Sequence, residues 1–382
     1  MILERSPPAP KSRCELRDIM EAKAVPIVLL ATACALALFR RQGRVPTDEA
    51  SSEWRYTLAS SHSFAGLGRD AEGKWEGDYF FVQIADPQLG MLHDPEYGGD
   101  ASHTDELSNL VFTVKEINRM RPRPKFVLVS GDLINAFPNT ASPGLADRQV
   151  AAFKQAMATL EADIHLVLQP GNHDVGQAPR PEDMRRYRRR FGDDFFAFWV
   201  GGVLYVALNS QYHVDGSHVA ALAEEQERWL MSTLKHSRAA QHVCILSHVP
   251  PFLGHEAEAK GWANWDEGSR RRALRAAEQA NARLWLSGHL HGAHVSRSSG
   301  GVEIVVSAAV GANINWTSPI GAPAIAEAQR PNFAETVGTP ALTASPKLAG
   351  LRVVRVSRDQ MQHRWVTLEG LPRLHRLDEL FA

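Results

Sequence analysis

Aspartate, asparagine, glutamine and histidine residues stand at the ends of five apolar runs of this sequence, either directly or after one glycine. The runs, with those residues, are YFFVQIA with Asp86 and Gln88, KFVLVS with Asp132, IHLVLQP with Asn172, His173 and Asp174, HVCILS with His248, and ARLWLS with His289 and His291. Several runs are apolar throughout, which indicates strands buried on both faces. Binding sites of open α/β sheets lie outside the carboxyl ends of the strands, so we expect these side chains to meet along one sheet edge.

This set of side chains offers carboxylate and amide oxygens and neutral imidazole nitrogens, and it contains no thiolate. Such donors suit divalent ions such as Mn, Fe, Zn or Mg. Two ions about 3.5–4 Å apart can hold both the attacking and the leaving oxygen of a phosphoryl displacement. Two dications at that distance repel each other, so a carboxylate between them is required. One strand-end histidine is usually structural, but five polar endings in succession favour a dinuclear metal site.

The chain between these endings alternates apolar runs with helical patterns. The candidate helices are ELSNLVFTVKEINRM, LADRQVAAFKQAMATL, EEQERWLMSTLKHS and SRRRALRAAEQANA. This alternation predicts an α/β layered fold over residues 75–370, and LRVVRVSRDQMQHRWVTL predicts a hairpin near its end. Residues 1–74 are expected to be an extension with a linker, and residues 371–382 a tail. Residues 312–348, rich in Ala, Pro and Thr, predict a loop insert.

The charge balance limits the classes of partner that we expect, and the cysteine positions limit the disulfides. The 42 basic and 43 acidic residues give a formal net charge of −1, so no nucleic-acid partner is indicated. Of the three cysteines, Cys14 and Cys34 precede the predicted domain, which leaves no disulfide framework inside it.

Residues 24–39 carry no charge and are strongly apolar. This segment is shorter than the roughly 20 residues that cross a bilayer untilted. It fits the apolar region of a signal peptide, a short signal anchor or a buried helix. We predict an N-terminal hydrophobic helix that anchors the chain to a membrane in a single pass, with a cytoplasmic or secretory-lumen location as the alternative.

The order of the motifs resembles the calcineurin-like metallophosphoesterase superfamily. That family has Asp-x-His, Gly-Asp, Gly-Asn-His-Asp/Glu, His and Gly-His-x-His in this order, and the resemblance covers residues 75–368. ADPQLG and FGDDFFAFWVGGV are similar to a branch of metal-dependent serine/threonine phosphatases. The resemblance implies a four-layer α/β/β/α sandwich and a phosphoric monoester hydrolase that acts on phosphoproteins. In-line attack by a hydroxide shared between the two ions is the implied mechanism.

The resemblance also implies a role for each strand-end residue. Asp132 would bridge the two ions, and Asp86 and His291 would hold the first. The remaining ligands of the second ion would be Asn172, His248 and His289. His173 would protonate the leaving oxygen or stabilise the charged phosphoryl group, and Asp174 would orient the His173 ring.

Gln88 departs from the family pattern, because it stands where most members have histidine. An amide oxygen is a harder and weaker donor than an imidazole nitrogen, so we expect lower affinity at the first ion and a preference for Mn or Mg. Asn135 stands where purple acid phosphatases have tyrosine, which disfavours an Fe(III)–tyrosinate site. Two alternatives stay open: a phosphodiesterase or nucleotide hydrolase with the same dinuclear site, and a membrane-tethered binding protein without turnover.

Overall fold

The computed structural model describes residues 56–314, 342–374 and 376–382. The strands are β1 (Tyr79–Ile84), β2 (Phe126–Ser130), β3 (His165–Gln169), β4 (Phe196–Val200), β5 (Val203–Leu208), β6 (His242–Ser247), β7 (Ala282–Ser287), β8 (His294–Arg297), β9 (Glu303–Val306), β10 (Asn313–Ile314), β11 (Leu342–Thr343), β12 (Gly350–Val356) and β13 (Met361–Thr367). The α-helices are α1 (Arg69–Glu72), α2 (Thr104–Arg119), α3 (Leu145–Met157), α4 (Asn172–Val175), α5 (Pro181–Phe191), α6 (Gln211–Asp215), α7 (Ala220–Lys235) and α8 (Glu267–Gln279).

The strands form two large sheets. The first has the order β13-β12-β1-β2-β3, and the second has the order β4-β5-β6-β7-β9-β8. Strands β1, β2 and β3 run parallel, as do β5, β6, β7 and β9. The predicted hairpin is confirmed, since β12 and β13 pair antiparallel with Val356 opposite Met361. The carboxyl ends of the parallel strands are therefore available to carry a site from each sheet.

Apolar side chains from both sheets meet in one core. Phe81 stacks on Phe126 of the first sheet with ring centroids 4.5 Å apart, and Tyr205 stacks on Phe198 of the second at 4.9 Å. The opposite face of the first sheet packs against α2 and α3, and that of the second sheet packs against α7 and α8. The α/β class, with sheets flanked by helices, is confirmed.

Residues on both sides of the predicted domain pack against its core. The hydroxyl of Tyr56 donates to the carbonyl oxygens of Met157 and Leu160, at 3.0 and 2.6 Å. Leu371 and Leu377 are buried in the same cluster. Residues 56–74, expected to belong to the linker, and the tail therefore contribute to the compact unit.

Two of the predictions concern residues that the structure does not describe. The hydrophobic segment 24–39 lies outside the described ranges, as do residues 315–341 of the predicted insert. The described ends of the insert pair with each other, because β10 and β11 form a two-stranded ribbon. Among the described residues, no helix combines the length and the apolar character that crossing a bilayer requires.

Candidate metal centre and active site

The loops that follow β1, β2, β3, β6 and β7 bring the predicted ligands into one buried cluster. Two groups of side chains have ligand atoms within 4.8 Å of one another. The groups are Asp132 with His248 and His289, and Asp86 with Asp132 and His291. Asp132 belongs to both groups, which is the arrangement that a carboxylate bridging two ions requires. The structure thus places Asp132 between the two groups of candidate ligands.

Each histidine of the cluster is oriented by a main-chain carbonyl. His248 Nδ1 lies 2.8 Å from Ser130 O, His289 Nε2 3.3 Å from Trp262 O, and His291 Nδ1 2.6 Å from Ala312 O. A carbonyl oxygen only accepts, so the contacting nitrogen carries the proton. The other nitrogen of each ring keeps its lone pair, and this division is typical of metal-binding histidines.

The lone pairs of several ligands point at one another. His248 Nε2 lies 3.0 Å from Asn172 Oδ1, 3.2 Å from Asp132 Oδ2 and 3.2 Å from His289 Nδ1. When His248 is neutral, with its proton on Nδ1, four acceptor atoms converge, and either a proton on Nε2 or a cation must separate them. Buried acceptors that face each other repel, and a cation among them removes the repulsion. The residues present therefore fit a divalent metal ion.

The charges of the cluster favour an added positive ion. Burial lowers the pKa of His289 to about 3 and that of His291 to about 4, so both rings are neutral ligands. Burial also lowers the pKa of His248, but Asp132 and Asp86 outweigh it and raise that pKa to about 9. Burial, with the charge of Asp132 adding to it, raises the pKa of Asp86 to about 8. The raised pKa values of Asp86 and His248 indicate a buried ligand set that added positive charge would stabilise.

The main chain is strained at the same positions. Nine described residues other than glycine have positive φ, and five of the nine are predicted ligands. Those five are Asp86, Gln88, Asp132, His289 and His291. Such strain persists only where surrounding structure enforces it, and it is concentrated at functional sites.

Two glycines permit the close approach of the loops. A Cβ atom on Gly171 would lie 2.1 Å from Asp132 Oδ1, and one on Gly288 would lie 2.5 Å from Asp86 Oδ2. The glycines before Asn172 and His289 are therefore needed for space beside a carboxylate.

His173 lies beside the cluster and is also held by a carbonyl. Its Nδ1 lies 2.5 Å from Asn135 O, and its ring stacks on Phe137 with centroids 4.0 Å apart. The role predicted for Asp174 needs correction, because its carboxylate does not contact the His173 ring. The Asp174 oxygens instead accept from the main-chain N–H groups of Gly171, at 2.8 Å, and Leu133, at 3.1 and 3.2 Å. Asp174 thus joins two ligand-bearing loops.

A family model described as calcineurin-like phosphoesterase matches residues 81–293, more than half of the chain. The chain belongs to this family.

Relatives of this phosphoesterase cover most of its length. One from Danio rerio, named serine/threonine-protein phosphatase CPPED1, is 35% identical over 276 residues, covering 69% of this chain and 86% of the relative. The Homo sapiens protein of the same name is 30% identical over 334 residues, covering 84% and 94%. A solved structure of PhoD has a TM-score of 0.51 and 15% identity, and covers 80% of this chain and 68% of that one. The PhoD likeness concerns the fold alone.

The site of this phosphoesterase includes residues that sequence reasoning did not assign. Asn135 contributes the carbonyl that fixes His173, and Phe137 contributes the ring beneath it. Every residue type has a main-chain carbonyl, so the sequence cannot indicate which carbonyl contacts His173, and only the structure shows it. Trp262 lies over His289 with ring centroids 4.5 Å apart. Trp265, three residues later, is buried against His213.

Proposed function

We propose that this phosphoesterase is a metal-dependent phosphatase that removes phosphate from phosphoserine and phosphothreonine, using two divalent ions. The observation that carries the proposal is the membership of Asp132 in two buried ligand groups. The choice of phosphoprotein substrates is supported by relatives that are named serine/threonine-protein phosphatases.

The ligands divide between two positions. Asp86, Gln88 and His291 would hold the first ion with Asp132. The residues that would hold the second ion with Asp132 are Asn172, His248 and His289. When bound, the ions supply charge neutralisation for the phosphoryl oxygens and acidify a water for in-line attack on phosphorus.

The residues around the ions prepare the substrate side of the site. His173 has its Nδ1 engaged by Asn135 O and its Nε2 3.0 Å from Gln88 Nε2, so Nε2 would hold or release a proton at the leaving oxygen only by exchanging its contact with Gln88. Phe137 fixes the plane of the His173 ring, and Trp262 covers His289. These aromatic rings shield two imidazoles from water and limit their rotation.

The test compares a monoester, a diester and a phosphoserine peptide as substrates in the presence of Mn²⁺. We expect the wild-type protein to prefer monoesters and Asp132→Asn to lose more than about 100-fold in kcat/KM. Asp359→Asn, in an exposed turn, is the matched control and should retain activity. Equal rates for wild type and Asp132→Asn would refute a metal-dependent hydrolase, and a preference for the diester would support a phosphodiesterase.

We also infer that residues 24–39 anchor the enzyme to a membrane, on the basis of their sixteen uncharged residues. The full-length chain should then remain in the membrane fraction after carbonate extraction. A variant without residues 24–39 should be released. Release of the full-length chain would refute the anchor.

A further inference from the structure

Gln88 and Asn135 lie on two loops that the main chain holds together. The Gln88 N–H donates to Asp132 O at 2.8 Å, and the Asn135 N–H donates to Leu89 O at 3.2 Å. These two bonds extend the pairing of β1 with β2 beyond the ends of the strands. The side chains of Gln88 and Asn135 are therefore presented to each other from fixed positions.

A carboxylate sets the orientation of the Asn135 amide. Asp94 Oδ1 accepts from the main-chain N–H of Glu96 at 2.9 Å, and Asp94 Oδ2 lies 2.6 Å from Asn135 Nδ2. A carboxylate oxygen accepts, so the NH₂ group of Asn135 faces Asp94. Its Oδ1 then faces Gln88, whose Nε2 lies 3.0 Å away and donates to it.

His173 fixes the Gln88 amide in the same orientation from another side. The Nδ1 of His173 donates to Asn135 O, so Nε2 keeps its lone pair. Gln88 Nε2 lies 3.0 Å from that nitrogen and is the group that can donate to it. The contacts with Asn135 Oδ1 and His173 Nε2 therefore both place the NH₂ group of Gln88 toward these two residues, and its Oε1 points to the opposite side.

Gln88 Oε1 is left buried and without a hydrogen-bond partner among the described residues. Burial of an unpaired acceptor costs about 1–3 kcal/mol, so a ligand for this atom is expected. We propose that Asp94 and Asn135 are positioning residues that hold Gln88 with its carbonyl oxygen toward the first metal ion. This inference rests on the proposed dinuclear function.

The chemical reason is that a glutamine can present either end of its amide. Rotation by half a turn would point the NH₂ group at a dication, which repels it, whereas a histidine ligand needs only its tautomer fixed. The hydrogen bonds from Asn135 to Asp94 and from Gln88 to Asn135, here called the relay, remove that choice. The relay therefore supplies the fixed orientation that this chain needs because it has glutamine where most family members have histidine.

The test is Mn²⁺ binding to the metal-free full-length protein by isothermal titration calorimetry, without substrate. We expect two sites in the wild type and a 10–100-fold weaker first site in Asn135→Leu, which is the range for residues that orient metal ligands. Asn139→Leu, at an exposed position of the same loop, is the matched control and should bind as the wild type does. Gln88→Leu should weaken the same site as Asn135→Leu.

A double variant separates positioning from a general loss of structure. In the Gln88→Leu background, Asn135→Leu should cost no further affinity, because the oxygen that it orients is absent. Equal losses in both backgrounds would overturn the proposal, as would a wild type that binds no Mn²⁺. If Asn135→Leu does not fold, Asp94→Ala breaks the relay at its outer end and should give the same loss. Unaltered Mn²⁺ binding by Asp94→Ala would then overturn the proposal.

Catalysis is measured separately on the same proteins. A wild type that binds Mn²⁺ through the relay but hydrolyses no phosphate ester would refute the proposed function and leave the positioning role standing. Hydrolysis of phosphate esters by the wild type, together with unaltered Mn²⁺ binding in Asn135→Leu, would support the proposed function and overturn the positioning role.

Discussion

Protonation of His213 should limit the stability of this phosphoesterase in acid. His213 is buried on α6 and stacks on Trp265 with ring centroids 4.2 Å apart. Gln226 Oε1 accepts from the Asn209 N–H at 2.8 Å, and its Nε2 donates to the Asn209 carbonyl at 3.1 Å, which fixes the amide. Gln226 Nε2 therefore donates to His213 Nε2, 3.0 Å away, and that nitrogen must be unprotonated in the folded protein.

The size of the effect follows from the pKa of His213. Burial, with the charge of Arg272 adding to it, lowers this pKa from 6.5 to about 3. Between these pH values the unfolded chain binds a proton that the folded chain does not, so stability falls as the pH decreases below 6.5. The slope approaches about 1.4 kcal/mol per pH unit, and the loss at pH 5 relative to neutral pH is about 2 kcal/mol.

Urea unfolding of the metal-free protein at pH 7.5 and pH 5 measures this loss. His213→Phe keeps the ring stacking but leaves one Gln226 N–H unpaired, so it should lower the free energy of unfolding by about 1–3 kcal/mol at both pH values. Its further loss on acidification should be about 2 kcal/mol smaller than that of the wild type. His218→Phe, at an exposed neighbouring position, is the control. If His213→Phe and wild type lose equal stability at pH 5, the reasoning is refuted.

Four further outcomes are expected. Gly171→Ala should weaken Mn²⁺ binding at least about 10-fold, because its Cβ would lie 2.1 Å from Asp132 Oδ1, whereas Gly68→Ala, with open space around it, should not. Gln88→His should raise the Zn-to-Mn ratio of protein equilibrated with both metals, measured by mass spectrometry. Asp174→Ala should cost about 2–4 kcal/mol in urea unfolding by leaving two N–H groups unpaired. Mn²⁺ at about 100 times its dissociation constant should stabilise the protein by about 2.7 kcal/mol per site, measured as a rise in Tm.

The sequence was sufficient to place the candidate ligands at the ends of their strands, because strands and strand ends follow local rules. Asp86, Asp132 and His248 come within two residues of the ends of apolar runs, and parallel strands bring such ends together whatever the loops do. The hairpin of β12 and β13 was likewise predictable from one continuous pattern. The order of the two sheets was not, since strand order depends on contacts between segments far apart in the chain.

Hydrogen-bond partners inside the site could not be predicted in the same way. Asp174 follows His173 directly, and this adjacency suggested that it orients the ring, yet its carboxylate reaches Leu133 on another loop. Asn135 acts on His173 through a main-chain carbonyl, which every residue type possesses. The choice of partner is decided by how closely the loops approach, and that distance is not encoded in any local pattern.

The metal centre is built from features that each oppose folding when no ion is present. Asp86 and Asp132 are buried side by side, five ligand residues have positive φ, and acceptor atoms of Asn172 and His248 face each other. Each would be relieved by a less buried, less regular arrangement, so the apolar packing on both faces of the two sheets must hold the loops in place before an ion arrives. A site held in this way loses little conformational freedom on binding the ions. Rigid packing behind Gly131, Gly171 and Gly288 is therefore part of the metal affinity, even though none of these glycines offers a ligand side chain.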